Sequence, residues 1–203
     1  MAAFGQPALA VGADEEVTAD GLQRIDPAVI ETAWIRPGVD LSSYSKMLLM
    51  PTVVTFKDVS EVSASIRGRA GDMEFPISDA RRVVVSKQFG EIFHDVFAEM
   101  SLYEVSTDVG RDVVMVRGFL LDLSSGAPPD IGAVRIEAIR WLWEASLVIE
   151  LRDSMSDEVL ARTFDRQRAI GPFEADAIVR DSPRVLRRWS QLLHQRLGEL
   201  TGR

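Results

Sequence analysis

From Trp141 to Arg168 the apolar positions fall two apart. Trp141, Trp143, Ala145, Leu147, Ile149 and Leu151 share one side, and Glu144, Ser146 and Glu150 share the other. A period of two predicts a strand with one buried and one wetter face. Short polar residues from Asp153 to Asp157 follow, and Glu158 to Arg168 runs back with Val159, Leu160 and Phe164 alternating less strictly. Two such runs joined by a polar turn predict a β-hairpin, around which the rest of the chain is organised.

Elsewhere the pattern changes period twice. Ala33 to Pro37 is a short extended piece, held out of helix by its proline, and Gly38 to Ser45 is a turn. Lys46 to Lys57 is almost continuously apolar, as expected of a strand buried on both faces, with Pro51 marking a bulge or an edge. Leu102 to Val105 and Asp112 to Leu123 predict a short and a central strand, and Val134 to Arg140 leads into the hairpin or extends its first arm. Between them Ser78 is placed to cap a helix whose core face is Val85, Phe89, Ile92, Phe93, Val96 and Met100, with Lys87, Glu91, His94 and Asp95 opposite. Ser182-Pro183 opens a second helix with Val185, Leu186, Trp189, Leu192, Leu193, Leu197 and Leu200 as its stripe. Arg184, Arg187, Arg188, Gln191 and His194 of that helix face water. The expected class is α+β: a mainly antiparallel sheet with two helices packed on one face, a two-layer sandwich.

Length and charge narrow the function classes. A chain of 203 residues suits a single domain over residues 20–203, removing roughly 70% of its extended surface from water. A net charge of −8 argues against nucleic acid or anionic membrane as the main partner. The absence of cysteine excludes thiol catalysis and thiolate metal sites, and no apolar run reaches the ~20 residues of a membrane-spanning helix. Ala8-Leu9-Ala10, followed by Asp14-Glu15-Glu16, has the small-x-small form of an export cleavage site. Residues 1–19 are therefore read as an export-signal stub cut after Ala10 or, alternatively, as a disordered tail.

The candidate chemistry is thin. Ser43-Tyr44-Ser45-Lys46 has the Ser-x-x-Lys spacing of acyl-enzymes, but its lysine begins a strand and no partner motif follows. Glu91, His94 and Asp95 share a helix face at metal-ligand spacing, with Lys87 one turn away to pair with Glu91 instead. Asp153, Ser154, Asp157 and Glu158 are oxygen-rich but lack the glycine and ligand order of a calcium loop. Glu144 and Glu150 lie roughly 20 Å apart along one strand, too far for a glycosidase pair. No phosphate-binding glycine loop is present. No catalytic, cofactor or metal residue is assigned, and no cofactor is expected. Residues 58–77 make a long loop with a basic centre, Arg67-Gly68-Arg69, and an alternating end, Met73, Phe75 and Ile77. Long loops are functional or disordered. Arg67, Arg69, Met73 and Phe75 are accordingly the candidate partner-binding residues, with a plain connector as the alternative.

The ordered set Asp20-Gly21-Leu22, then Trp34-x-Arg36-Pro37-Gly38-x-Asp40-Leu41-x-x-Tyr44, then the strands Met47 to Phe56, Asp112 to Leu123 and Ser146 to Ser154, resembles the bacterial envelope family called domain of unknown function 3313. That resemblance implies an exported lipoprotein of Gram-negative bacteria built on a small α+β module. It departs in two places. The family's lipid-bearing cysteine has no counterpart here, which implies a free periplasmic rather than an anchored form, and Asp157 stands where the family's hairpin turn carries glycine. The expected function is a non-enzymatic binding or assembly module of the periplasm or envelope, whose partner is an envelope protein or a small envelope ligand. The alternative is a carrier or hydrolase of envelope components with a pocket between helices and sheet.

Overall fold

The computed structural model describes residues 15–25, 31–59, 74–99, 103–126 and 141–170, together with Arg184, Arg187, Arg188, Gln191 and Gln195. Its elements are β1 (Gln23–Ile25), β2 (Thr32–Ile35), β3 (Lys46–Leu49), β4 (Val53–Phe56), α1 (Asp79–Ala98), β5 (Glu104–Val105), β6 (Val113–Ser125), β7 (Trp143–Asp153) and β8 (Val159–Ala169). One sheet runs in the order β1-β2-β8-β7-β6-β3-β5, and β4 pairs with β6 further along.

The predicted hairpin is present as β7 and β8, antiparallel, with Glu150 opposite Arg162 and Glu144 opposite Arg168. Its turn is fixed by Asp153, whose carboxylate accepts from the Met155 and Ser156 N–H groups at 2.9 and 2.8 Å. Asp157 takes φ 60°, the left-handed conformation that aspartate tolerates better than most side chains.

The expected fold class is overturned. The sheet is mixed: β3 and β4 run parallel to β6, and β5 runs parallel to β3. The physical cause is the order strand, helix, strand. A helix that recrosses the sheet returns the chain to its starting end, so the strands it joins must run parallel. Nor do two helices pack on one face: among the described elements α1 alone does so. Arg184, Arg187, Arg188, Gln191 and Gln195 are helical and exposed, but the apolar stripe predicted beside them lies outside the described residues. No described helix is long and apolar enough to cross a membrane.

Lys46 to Lys57 is two short strands rather than one. Met50 still donates to the Val116 carbonyl at 2.9 Å, and Pro51, without an N–H, ends the first ladder. Of the two strands only Met47 is buried and the other positions are partly or more exposed, not covered on both faces as expected; β4 has no strand beyond it.

Helix α1 buries Val85, Phe89, Ile92, Phe93, Val96 and Phe97 against Val114, Val116 and Leu120 of β6 and Leu147, Ile149 and Leu151 of β7. Ser78 occupies the cap position in extended conformation but makes no side-chain cap bond. The close approach depends on Gly118, where a Cβ would stand 2.5 Å from the Phe93 ring. The opposite face carries a second cluster of Leu22, Trp34, Phe119, Val148, Val159 and Phe164.

Candidate functional site

The face of the sheet opposite α1 carries most of the charge. At its centre Glu150 is fully buried, and its two oxygens divide between two guanidinium groups: Oε1 takes Arg162 at 2.7 Å and Oε2 takes Arg152 at 3.0 Å. Arg162 then holds Asp20 through both carboxylate oxygens, at 2.7 and 3.2 Å. Burial opposes ionisation of Asp20, but hydrogen bonds from Thr18 and Arg162 and the charge of Arg162 hold its carboxyl below the ordinary range. Asp20, Arg162, Glu150 and Arg152 are each ion-paired in this network. It clamps the N-terminal segment to the sheet.

The resemblance motif has a physical account of the same kind. Gly21 and Gly38 adopt φ 82° and 74°, Leu22 and Trp34 are fully buried, and Trp34 donates its indole N–H to the Glu15 carbonyl at 2.7 Å. Arg36 donates to the Val159 and Asp20 carbonyls at 2.7 and 3.1 Å. Asp40 caps a single 3-10 turn over Leu41–Ser43, and Tyr44 donates its hydroxyl to Asp153 at 2.9 Å. Burial and the facing Asp153 carboxylate push the Tyr44 phenol up to about 12. The motif is a set of braces between the N-terminal segment and the hairpin.

Further along that face lies a polar cleft of about 340 Å³, lined by Lys57, Asp122, Ser124, Glu144, Ser146 and Arg166. Its shape comes from an irregularity in β6 between Leu121 and Ser124, where Asp122 takes φ 53° and its N–H is held by the Thr55 hydroxyl at 3.0 Å. Lys57 is paired with Glu74 at 2.6 Å, and Glu144 with Arg168, which also lies over the Trp141 ring.

A third feature sits at the sheet's other end. The strand β5 and the loop after it meet the hairpin turn where the Ser154 hydroxyl accepts from the Gly110 N–H at 3.0 Å and donates to the Gly110 carbonyl at 2.8 Å. Val105, Val109 and Met155 are 42%, 59% and 61% exposed there.

The sequence candidates fall as follows. Arg67, Arg69 and Met73 lie outside the described residues. Phe75 is buried, and its N–H donates to the Ser125 carbonyl at 2.7 Å, so the alternating end of the long loop is joined to β6. Lys46 pairs with Asp112 at 3.3 Å and the Ser43 hydroxyl donates to the Asp40 carbonyl, which separates the Ser-x-x-Lys pair. Lys87 pairs with Glu91 at 3.6 Å, and among the described residues no group of three potential ligands could hold a metal.

Sequence reasoning missed the cleft and the buried clamp. Their signal was the alternation of β8, which puts Arg162, Arg166 and Arg168 on the same side as Glu144, Ser146 and Glu150. Once the turn is fixed, Glu150–Arg162 and Glu144–Arg168 follow as facing pairs.

No family model and no curated protein matches the chain. Among solved structures it is similar to a single-residue variant of the PelC dodecamer from Paraburkholderia phytofirmans, at 9% identity and a TM-score of 0.33, over 75% of this chain and 95% of that one. It is also similar to protein XCC0632 from Xanthomonas campestris, of the family domain of unknown function 330, at 9% identity and a TM-score of 0.38, over 78% and 86% of the two chains. A PDZ domain protein from Parabacteroides distasonis gives 10% identity and a TM-score of 0.30, over 57% and 30%. The family named there is 330 and not the 3313 of the sequence resemblance. At these scores the similarities carry no argument about activity, location or assembly.

Proposed function

We propose that the protein is a non-enzymatic binding or assembly module of the bacterial envelope, exported to the periplasm. The observation that carries this reading is the exposed end of the sheet. Val105, Val109 and Met155 are exposed apolar side chains on an edge strand, the loop after it and a hairpin turn, and the Gly110–Ser154 bonds hold that loop and turn together. Apolar side chains on a rigid edge are a surface that a partner protein covers. The export-like start and the family resemblance support the location. The basic loop with Arg67, Arg69 and Met73 is proposed as a second contact, anchored at its end by Phe75.

The alternative reading, a carrier with a pocket between helix and sheet, has less support. Phe89, Phe93 and Phe97 fill that space among the described residues, with successive ring centroids 6.1 and 4.4 Å apart. The test is partner capture from envelope extract by the full chain and by Val109→Glu and Met155→Glu. Both variants are expected to keep the parent's melting midpoint and to lose at least ten-fold in the captured partner. Capture undiminished in both variants would remove these residues from the account.

A further inference from the structure

We propose that the polar cleft on the sheet face opposite α1 binds a small zwitterion of the amino-acid class. Its floor holds Ser124 and Ser146, which are 3% and 6% exposed. Among the described residues neither hydroxyl has a hydrogen-bond partner. Both hydroxyls open onto the cleft, where they can donate to or accept from a bound group.

The walls separate committed from uncommitted charge. Lys57 is held by Glu74 and Glu144 by Arg168. Arg166 is bound through its backbone N–H to the Glu31 carboxylate, at 3.0 Å, and its guanidinium has no acceptor among the described residues. Asp122 likewise uses its N–H on Thr55 and leaves its carboxylate without a donor among them. Leu121 on β6 faces Ser146 on β7, which faces Arg166 on β8, so the free cation and the free anion stand on strands roughly 10 Å apart. Long side chains on either side of a serine floor close that gap to the dimensions of a small molecule. A volume of about 340 Å³ is at the small end of ligand clefts, which run from ~300 to ~1,000 Å³.

The donor and acceptor set then selects the ligand. Arg166 offers a fork of N–H groups that, with the two hydroxyls, matches a carboxylate. Asp122 matches an ammonium group. An oxyanion alone would leave the Asp122 carboxylate unanswered, and an amine alone would leave the guanidinium and the hydroxyls unanswered. A molecule carrying both charges satisfies both walls. The backbone of Asp122 adds a geometric reason. Asp122 takes φ 53°, which aspartate tolerates, and the Thr55 hydroxyl fixes it at the irregularity of β6 that lines the cleft.

The experiment is titration of the full chain, followed by the NMR shifts of residues 122–124, 144–146 and 166, with four probes: L-alanine, propionate, ethylamine and inorganic phosphate. L-Alanine is expected to bind at least ten-fold more tightly than propionate or ethylamine, and phosphate no better than propionate. Asp122→Asn tolerates the same φ and removes the charge, and Arg166→Gln is at an exposed position, so both variants should fold. Each is expected to weaken L-alanine at least ten-fold while leaving the binding of its own half-ligand, propionate for Asp122→Asn and ethylamine for Arg166→Gln, within two-fold. Propionate or phosphate binding as tightly as L-alanine overturns the zwitterion assignment in favour of an anion site. No shift with L-alanine overturns the site itself, and neither result bears on Val105, Val109 and Met155.

Discussion

Glu150 is the residue on which the opposite face of the sheet turns. Its carboxylate is fully buried between two arginines, so removing it leaves Arg162 with Asp20 alone and Arg152 with the exposed Asp157 alone. Glu150→Ala is expected to cost about 3–5 kcal/mol in urea melts, and the joint change Glu150→Leu with Arg162→Met should recover much of that loss. Equal losses in the single and joint variants would contradict the coupling. Titration gives a second residue-scale test. Burial acts to raise the Asp153 carboxyl, but bonds from the Ser156 N–H, the Tyr44 and Ser156 hydroxyls and the Met155 N–H hold it below the ordinary range, as Asp20 also lies. Both therefore contribute stability that is complete above an unfolded-state pKa of about 3.9 and is lost as pH falls through the lower native values. Tyr44 works in the other direction. Its native phenol, pushed up to about 12, keeps a proton that the unfolded chain loses near 10, so stability should fall as pH rises from about 10 to about 12. Urea midpoints across that range should decline less for Tyr44→Phe than for the parent, and parallel declines would place the alkaline loss elsewhere. The sequence announced Asp157 as a turn residue because aspartate tolerates positive φ. It did not announce Glu150 as buried, because alternation alone assigns a face and cannot tell which face is later covered.

At the scale of elements, period was the legible quantity and direction was not. The 3.6-residue spacing placed five of the six buried positions of α1, and Phe97 escaped because it extends the stripe sideways where Met100 was expected to close it. The hairpin was readable because its two arms are adjacent in sequence and joined by a polar turn. Parallel pairing of β3 and β4 with β6 was not, since apolar runs carry no mark of the direction of their neighbours. Pro51 was read correctly as an interruption, while the partial exposure of the flanking strands was not expected. The contact between α1 and β6 yields an element-scale prediction. Gly118→Ala puts a methyl group 2.5 Å from the Phe93 ring, an overpacking expected to cost about 1–3 kcal/mol. Phe93→Leu in the same chain should recover part of it. A Gly118→Ala variant as stable as its parent in thermal melts would show that the helix can lift from the sheet without loss.

At the scale of the whole molecule, the described residues place different chemistry on the two faces of the sheet. Helix α1 seals one face of the sheet with aromatic side chains, while charge clamps, the polar cleft and the exposed apolar residues occupy the other face and one end. Composition could exclude thiol chemistry and make nucleic acid an unfavourable partner, but a partner surface is assembled from β5, the loop behind it and a hairpin turn fifty residues away. Only the fold brings the loop at Gly110 to the hairpin turn at Ser154. Export is a prediction at this scale: mass spectrometry of the protein from fractionated bacteria is expected to find a periplasmic form beginning at Val11, and an uncut cytoplasmic form would contradict it. The central claim, that the exposed end of the sheet is where a partner binds, is tested most directly by site-specific photocrosslinking in living cells. A photoreactive side chain at Val109 or Met155 is expected to capture one distinct envelope protein, while the same group at Val83, 69% exposed on α1, captures none. Crosslinks to that protein from Val83 and none from Val109 or Met155 would contradict the account.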